Sequence, residues 1–394
     1  MTRSTVLDVL IPSAIAIGAL CSSAAITKAD TYQQTDLVSN IPGLAMVTDP
    51  QLVNPWGVSF IGPTPFSSPF WISNQGTNTA TLYSVTGATG VSGNLLTVAI
   101  PTTGNGPQGP TGQVSNTNAS SFPVGNGGNG KSADFIFANL NGAISAWDGG
   151  PSAIVQHTTP GAVFTGLAKN QAQTLLYAAN DSAGAIDVFN SAFNPVTLGA
   201  GAFATPSAIS ALGLVPFNVQ DLGGNVYVTY APAGHAAQTT AAEGEGAVAV
   251  FSESGGLKNA IVGGPLASPW GVVLAPSAFG AFGGDLLVGN FSDKDSAINA
   301  FNPVTDAFVG SIAINAGAGQ SSGALWDLTF GAGGKNGSPL TLYFTDGIDG
   351  ERAGLFGAIT AVPEPSTWAM TTLGFGGLAF AGYRTSRRRA AVSV

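Results

Sequence analysis

The sequence predicts an all-β protein whose strands form a six-bladed β-propeller, and three observations lead to this prediction. A related segment occurs six times, at steps of 52 to 56 residues. Each copy is followed by short apolar runs of β type that are separated by polar turns. No helical periodicity lies between them. Regularly spaced short strands without helical spacers are typical of a propeller.

The repeat is clearest where "NPWGVSF" at Asn54 returns as "SPWGVVL" at Ser268. Looser copies are "GPTGQV", "VFTGLA", "VPFNVQ" and "ALWDLT". Alignment of the six copies gives one shared position, occupied by Gly57, Gly112, Gly166, Asn218, Gly271 and Asp327. Glycine is expected there because the inner strands of a propeller crowd together near its axis. The aromatic residues beside it are predicted to fill the wedge between neighbouring sheets; they are Trp56, Phe217, Trp270 and Trp326.

The runs after each copy have the pattern of β-hairpins, as in "FWISNQGTNTATLYSV" and "LLYAANDSAGAIDVFN". The second run of five copies ends in an Asx residue, namely Asn74, Asn139, Asn180, Asn290 and Asp346, and Tyr230 alone breaks the set. Such side chains can bond to the backbone of the following turn.

The sixth copy lacks an outer strand after "GLFGAIT", whereas "YQQTDLVSN" near the start is β-like and has no repeat of its own. We expect this N-terminal strand to complete the sixth blade and close the ring, which hides edges that would otherwise pair with other chains. Two unrelated β domains are the alternative arrangement.

Residues 1–29 have the pattern of a secretory signal peptide, with one basic residue near the start, an apolar stretch and then small residues. Cleavage after Ala25 or Ala29 fits this pattern. The sole cysteine, Cys21, lies within the segment, where lipidation is the alternative role. The exported body, residues 30–361, therefore has no thiol, which excludes a disulfide framework and a cysteine nucleophile.

Residues 362–394 combine "VPEPSTWAM", a Gly-rich apolar span and "RRR". The span from Thr367 to Tyr383 carries no charge and approaches the ~20 residues that a transmembrane helix needs. The order of triplet, span and basic end resembles the PEP-CTERM sorting signal of Gram-negative bacteria, and an ordinary C-terminal anchor is the alternative. The resemblance assigns the sorting motif to Pro363, Glu364, Pro365, Arg387, Arg388 and Arg389. It implies transient anchoring in the inner membrane, removal of the tail by an exosortase, and release or attachment at the cell surface.

The body resembles NHL-type propellers in its pattern of strand, Asn or Asp, turn, and strand ending in Val-Phe. The segments "LVNPWGVSF", "SADFIFANLNGAISAWD" and "DLGGNVYVTYA" are similar to an uncharacterised bacterial family of exported NHL-like propellers, whose members often carry the PEP-CTERM tail. That family implies no reaction. Its members often have a His-Asp-Asp loop after the "YVTYA" strand, but here only His235 remains.

Charge excludes one class of partner. The sequence between Asp30 and Ala361 contains six basic and nineteen acidic residues. A surface with this excess of negative charge repels the phosphates of nucleic acid. The expected partners are the secretion machinery, an exosortase and an unidentified extracellular ligand, with a polysaccharide as the candidate.

Candidates for metal binding are few. His235, with Glu243 and Glu245 nearby, could bind a divalent ion or act as a general base, although the loop fixes no geometry. The segment "DGIDGE" brings Asp346, Asp349 and Glu351 into one turn, and "SDKD" is a second acidic turn. Neither has the spacing of a defined Ca²⁺ motif, so turn formation is the favoured role and Ca²⁺ the one ion considered. No other cofactor is expected.

Two classes of function follow from these observations. The first is a non-catalytic binding or structural propeller of the cell surface or extracellular matrix. The second is a metal-assisted hydrolase or lyase of the six-bladed type. The loops that enter the inner strands carry almost no acids or histidines, which favours the first class, and the fold by itself assigns neither. A Ca²⁺ ion beside Asn54 would favour the second.

Overall fold

The computed structural model describes residues 32–62, 67–104 and 106–362. In this part of the chain six sheets follow one another where the six repeats predict them. Each sheet begins with an inner strand that contains the shared Gly, Asn or Asp position. The predicted all-β six-bladed propeller is therefore confirmed.

The strands follow the repeats closely. Strands β1 (Tyr32–Ser39) and β2 (Val47–Thr48) precede the first repeat. Blade one contains β3 (Pro55–Ser59), β4 (Phe70–Asn74), β5 (Thr79–Thr86) and β6 (Gly90–Ala99). Blade two contains β7 (Pro110–Ser115), β8 (Phe135–Asn139), β9 (Ala143–Trp147) and β10 (Ile154–Thr158). Blade three has three strands, β11 (Phe164–Lys169), β12 (Leu175–Asn180) and β13 (Ala185–Asn190).

The second half of the ring repeats the same plan. Blade four contains β14 (Leu214–Asp221), β15 (Asn225–Pro232), β16 (Ala247–Ser252) and β17 (Leu257–Val262). Blade five contains β18 (Pro269–Leu274), β19 (Leu286–Asn290), β20 (Ala297–Phe301) and β21 (Phe308–Ala313). Blade six contains β22 (Leu325–Phe330), β23 (Thr341–Asp346) and β24 (Leu355–Ala361). Two short helices, α1 (Ser207–Ser210) and α2 (His235–Thr239), lie between strands.

The N-terminal strand closes the ring, as predicted. Strand β1 pairs with β24 in antiparallel register, with Tyr32 opposite Ala361 and Ser39 opposite Leu355. Leu37 and Val38 of this strand are fully buried. Strand β2 adds a fifth, parallel strand outside β1. The first described residues and the last thus belong to one blade.

The inner strands are in close contact at the shared position. A Cβ atom on Gly57 would lie 2.7 Å from the carbonyl oxygen of Thr111 in the next blade. One on Gly112 would collide with the backbone of Leu167 in the blade after that. Gly166 and Gly271 are equally crowded by the following blade. The steric reason predicted for glycine at this position is confirmed.

The two copies without glycine make hydrogen bonds to the next blade instead. Asn218 Nδ2 donates to the carbonyl oxygen of Trp270 at 2.9 Å. Asp327 Oδ2 accepts a bond from the backbone N–H of Val58 at 2.6 Å, and its Oδ1 accepts one from Leu328 at 2.8 Å. Burial raises the pKa of Asp327 to about 7. Each inner strand therefore contacts the next one around the whole ring, and the strand of blade six contacts that of blade one.

The aromatic residues beside the shared position occupy a different place from the one predicted. Trp56 of blade one stacks on Trp326 of blade six, with ring centroids 3.4 Å apart, and contacts Trp270 of blade five at 6.0 Å. Blades one and five are not neighbours in the ring, so the contact between Trp56 and Trp270 places these rings at the axis. The prediction that the aromatic residues fill the wedge between neighbouring sheets is therefore wrong. We call this cluster the aromatic plug; its members are Trp56, Phe217, Trp270, Phe291 and Trp326. Other residues pack between neighbouring sheets, such as Trp71, which stacks on Phe135.

The predicted C-terminal transmembrane helix lies outside the described residues, as does the signal peptide. Among residues 32–62, 67–104 and 106–362, no helix has the length and apolar character that a bilayer crossing requires.

We predict that Gly112→Ala lowers the free energy of unfolding by about 1–3 kcal/mol or more, because its methyl group has to displace the backbone of the next blade. Chemical denaturation followed by tryptophan fluorescence measures the change. Gly93→Ala is the matched control, since a Cβ atom there meets nothing within 4 Å. Equal stability of the two variants would contradict the crowding at the axis.

Candidate functional site

A concave pocket lies over the aromatic plug at the mouth of the channel, the end at which the inner strands begin. Its volume is about 390 Å³. We call it the mouth pocket. Apolar side chains form part of its wall, namely Trp56, Pro107, Leu140 and Val163. Polar side chains form the rest, namely Gln75, Thr165, Asp181, His235, Gln238 and Glu351. An apolar cavity with a few convergent polar groups is the usual form of a small-molecule site.

Helix α2 brings His235 over this pocket. The helix lies in the long connection between β15 and β16, and Gln238 anchors it by donating to Asp181 Oδ1 of blade three at 2.7 Å. On the other side, the backbone N–H of Asp293 in blade five donates to the carbonyl oxygen of Thr239 at 3.0 Å. The connection therefore has a defined geometry, although its Gly/Ala/Thr-rich sequence gives no sign of one.

His235 forms an ion pair with Glu351 at the rim of the pocket. Nε2 of His235 lies 2.9 Å from Oε1 of Glu351, in the turn between β23 and β24. The side chain of Glu351 is only 17% exposed, whereas that of His235 is 59% exposed. The turn is tight: Glu351 has a left-handed backbone, with φ of 63°.

Asn54 connects this pair to the aromatic plug. Its Nδ2 donates to Glu351 Oε2 at 2.7 Å and to Gln75 Oε1 at 2.9 Å, and its Oδ1 accepts a bond from Trp326 Nε1 at 2.8 Å. Asn54 is 1% exposed and also has a left-handed backbone, with φ of 46°. Its amide is fully used inside the protein, so Asn54 positions Glu351 and Gln75 rather than presenting free oxygen ligands.

The electrostatics of the mouth favour a charged imidazole. The hydrogen bond to Glu351 is the largest cause that raises the pKa of His235, and burial opposes it. The carboxylates of Asp293 and Asp181 add to the rise. Burial in turn raises the pKa of Asp181. The wall of the pocket thus contains two carboxyl groups, those of Glu351 and Asp181, and one basic side chain, that of His235.

The four residues proposed as metal ligands do not come together. His235 and Glu351 are paired, but the carboxylate of Asp349 binds the exposed Arg352 at 3.0 Å instead. Asp346 is fully buried, and neither of its side-chain oxygens has a hydrogen-bond partner among the described residues. Burial raises its pKa well above the usual range, which favours the neutral acid. Over the described part of the chain, no group of three or more His, Cys, Asp or Glu side chains is arranged to hold a metal ion.

The other residues singled out in the sequence have local roles. Glu245 Oε2 accepts a hydrogen bond from the backbone N–H of Ala242 at 2.6 Å. The carboxylate that pairs with His235 is that of Glu351 and not that of Glu245. His157 lies on β10, the outer strand of blade two, as predicted, and its ring contacts Phe189 of the next blade at 5.0 Å. Asn139 bonds to the backbone of its turn as expected, with Oδ1 accepting the N–H of Asn141.

The sequence did not single out Gln75 and Asp181, which belong to the mouth pocket. Gln75 directly follows the shared Asn74, and Asp181 directly follows Asn180. The shared Asx residue of each second strand thus marks where the chain reaches the mouth. The position directly after the shared Asx residue is therefore the signal in the sequence that indicates Gln75 and Asp181.

The fold and the pocket define a class: a six-bladed propeller with a concave pocket at the mouth of a channel that aromatic residues close. Comparison with known sequences adds the family. The chain is 31% identical over 287 residues to an uncharacterised protein of Acanthamoeba polyphaga mimivirus, covering 69% of this chain and 67% of that protein. A second uncharacterised protein of the same virus is 28% identical over 288 residues, covering 69% and 72%. The chain belongs to the family of these proteins.

The tail matches the PEP-CTERM protein-sorting motif over residues 361–389. The predicted sorting signal is therefore confirmed, and it identifies an exported protein of the Gram-negative envelope that an exosortase processes. The motif residues Pro363, Glu364, Pro365, Arg387, Arg388 and Arg389 lie outside the described residues.

Solved structures of other proteins are similar to this chain at low sequence identity. A virginiamycin B lyase from Staphylococcus aureus gives a TM-score of 0.47 at 10% identity, covering 84% of this chain and 99% of that one. A streptogramin B lyase gives 0.47 at 11% identity, covering 84% and 98%. A hydrazine synthase of Kuenenia stuttgartiensis gives 0.41 at 16% identity, covering 77% and 76%.

We predict that the two histidines titrate on opposite sides of the ordinary pKa of 6.5, His235 above it and His157 below it, because burial lowers the pKa of His157. Since the folded-state pKa of His235 is raised, its pair adds stability below the ordinary pKa, and this stability is lost as the pH rises through the raised value. Solvent screens the pair, so the gain is small. NMR titration of the two imidazoles measures both values.

Glu351→Gln should lower the pKa of His235 and leave that of His157 in place. Glu243→Gln is the control, because it removes an exposed carboxylate from the same side of the propeller. An unchanged pKa of His235 in Glu351→Gln would show that the ion pair does not form in solution.

Proposed function

We propose that this protein is an exported propeller of the cell envelope that acts by binding a small ligand in the mouth pocket. In this proposal residues 1–29 are a signal peptide, residues 30–361 are the propeller, and residues 362–394 are a removable tail with a transmembrane helix. The tail holds the chain in the inner membrane until the exosortase acts. A surface polysaccharide is the proposed macromolecular partner outside the cell.

The observation that carries the binding role is the mouth pocket itself. It combines a wall of Trp56, Leu140 and Val163 with the paired His235 and Glu351 at its rim. The polar groups are held in place before any ligand arrives, because Asn54 fixes Glu351 and Gln238 fixes helix α2. Such preorganisation lowers the entropic cost of binding.

The charges and the aromatic wall indicate the class of ligand. Glu351 and Asp181 supply negative charge, and Trp56 supplies an aromatic ring. A ligand with an apolar body and a cationic or hydrogen-bond-donating end fits both features, because ammonium groups bind to carboxylates and to tryptophan faces. We therefore propose a small amine as the ligand class of the mouth pocket.

Catalysis is a second candidate, and the His235–Glu351 pair is the observation that favours it. An imidazole oriented by a carboxylate in a concave site is the arrangement of a general base. In this proposal the neutral form of His235, which predominates only above its raised pKa, takes a proton from the bound ligand, and the enzyme is a hydrolase or lyase.

We predict that small amines change the tryptophan emission of the protein, because a ligand in the mouth pocket contacts Trp56. A fluorescence screen of an amine library against the full chain measures this. Glu351→Gln should weaken binding by about 10–100-fold, the usual effect of losing a charged hydrogen bond. Glu243→Gln is the matched control and should bind like the wild type.

The same screen separates the two candidates. Product formation by the wild type that His235→Ala abolishes would assign catalysis, whereas unchanged ligand would assign binding. A screen in which no amine changes the emission, or in which Glu351→Gln has no effect, would contradict the proposed pocket.

A further prediction concerns the tail. Replacing Pro363, Glu364 and Pro365 together by alanine should leave the tail uncleaved and the protein in the inner-membrane fraction of a host that contains an exosortase. Immunoblots of cell fractions and mass spectrometry of the C-terminus measure the result. Ser366→Ala is the control next to the triplet. Normal cleavage of the triple variant would contradict the proposed processing.

A further inference from the structure

Blade three is the one blade of the described ring in which the fourth strand is not completed. Its sheet has the order β11–β12–β13, whereas every other sheet has four or five strands. The chain begins a fourth strand after β13: the backbone N–H of Val196 donates to the carbonyl oxygen of Val188 at 2.8 Å, and Pro195 pairs with Phe189 in an isolated bridge. It then leaves the edge. In the described part of the chain, no strand therefore lies beside residues 185–187 of β13.

A groove lies along this open edge, and its volume is about 850 Å³. We call it the edge groove. Residues 157–160 of blade two, residues 186–189 of β13 and residues 195–203 line it. Its volume is within the range of known binding pockets, about 300–1,000 Å³. The space in which a fourth strand would lie is thus open and bounded on both sides.

The backbone of Ile186 is directed towards the open edge. In an antiparallel ladder, residues alternate between those that bond to one neighbouring strand and those that bond to the other. Val188 is directed away from β12, because its carbonyl oxygen accepts the bond from Val196. Strand β13 pairs with β12 without irregularity, so Ile186 is directed the same way. Neither its N–H nor its C=O has a hydrogen-bond partner among the described residues, and Ile186 is partly exposed in the groove.

Asp187 supplies negative charge in the edge groove. Its Oδ2 accepts a hydrogen bond from Asn180 Nδ2 at 2.9 Å, whereas its Oδ1 is accessible and bonds to no described residue. His157 is the other ionisable residue of the lining. Burial lowers the pKa of His157, so its imidazole is neutral at neutral pH. The groove therefore has a carboxylate and no basic side chain that neutralises it.

The two faces of β13 differ in character. Asp187 lies on the face towards blade two, since Phe189, two residues further on, contacts His157 there. Ile186 lies on the opposite face, in an apolar cluster that includes Leu198. Residues directly opposite each other in paired strands lie on the same face. A strand that completes this sheet would thus have one residue beside Asp187 and apolar residues on either side of it.

We propose that the edge groove binds an extended basic peptide, which pairs with Ile186, continues the fourth strand of blade three and places a Lys or Arg beside Asp187. Main-chain hydrogen bonds give such complexes their affinity, and alternate side chains give them their specificity. A second copy of this chain fits less well. Two β13 edges in antiparallel register bring their Asp187 carboxylates onto one face of a common sheet, where like charges repel. This site does not depend on the mouth pocket.

Fluorescence anisotropy with a labelled Lys-Val-Lys-Val-Lys peptide tests the site on the full chain, in a non-ionic detergent at physiological ionic strength. We expect saturable binding with a Kd below about 1 mM. N-methylation of both valines should weaken binding at least about tenfold, because their N–H groups face β13. N-methylation of two lysines should have little effect, because their N–H groups point away from β13. The two methylated peptides carry the same charge, so electrostatic attraction alone cannot separate them.

Variants of the protein locate the charge contact. Asp187→Asn should weaken binding about two- to fivefold, because it removes a partly solvent-screened ion pair and keeps an acceptor for Asn180. Asp306→Asn is the matched control: it removes a carboxylate of blade five that bonds to Asn259, and it should bind like the wild type. Glu351→Gln should also leave peptide binding intact, which separates the edge groove from the mouth pocket.

Hydrogen exchange followed by mass spectrometry locates the peptide, and we expect it to protect the amides of residues 185–190. Light scattering gives the oligomeric state before the peptide is added, which we expect to be monomeric. The proposal is overturned if the peptide does not bind, if the two methylated peptides bind equally, or if Asp187→Asn binds like the wild type. It is also overturned if a second copy or another part of the chain already protects these amides in the free protein.

Discussion

The close approach of six inner strands around one axis is the constraint on which the rest of this structure depends. At Gly57 and Gly112 there is no room for a side chain, because the backbone of the next blade occupies the space. Where Asn218 and Asp327 replace glycine, their side chains bond to that backbone instead. Contacts between successive blades thus hold the ring together, and the close approach of the inner-strand backbones sets its diameter. The mouth pocket lies at one end of this narrow ring.

The aromatic plug fills the channel beneath the mouth pocket, and Trp56 belongs to both. Trp56 and Trp326 stack within it, and Trp270 Nε1 donates to the carbonyl oxygen of Thr165 in blade three. Asn54 connects Trp326 to Glu351, because its Oδ1 accepts a hydrogen bond from Trp326 and its Nδ2 donates one to Glu351. Hydrogen bonds therefore connect the rim of the mouth pocket to the plug beneath it, although His235 itself is largely exposed.

The number of blades and the closing strand could be predicted because both follow from local pattern: a repeat near fifty-four residues and one unmatched β run, Tyr32–Ser39. The mouth pocket could not be predicted from the sequence, for a physical reason. Its polar groups come from turns of different blades, and Glu351 meets His235 only because the ring brings blade six beside the helix inserted in blade four. Residues 116 positions apart carry no signal of that contact. The plug was missed because the same tryptophan could pack beside its blade or across the axis.

The pairing of β1 with β24 imposes an order of events on folding. Tyr32–Ser39 is synthesised near the beginning of the chain, yet its partner Leu355–Ala361 comes directly before the sorting motif and is synthesised after the rest of the propeller. The leading strand, with the apolar side chains of Leu37 and Val38, therefore has no partner strand until almost the whole propeller has been made. A chain that stopped at any earlier point would leave an open sheet edge. Closure of the ring is thus coupled to completion of the propeller sequence.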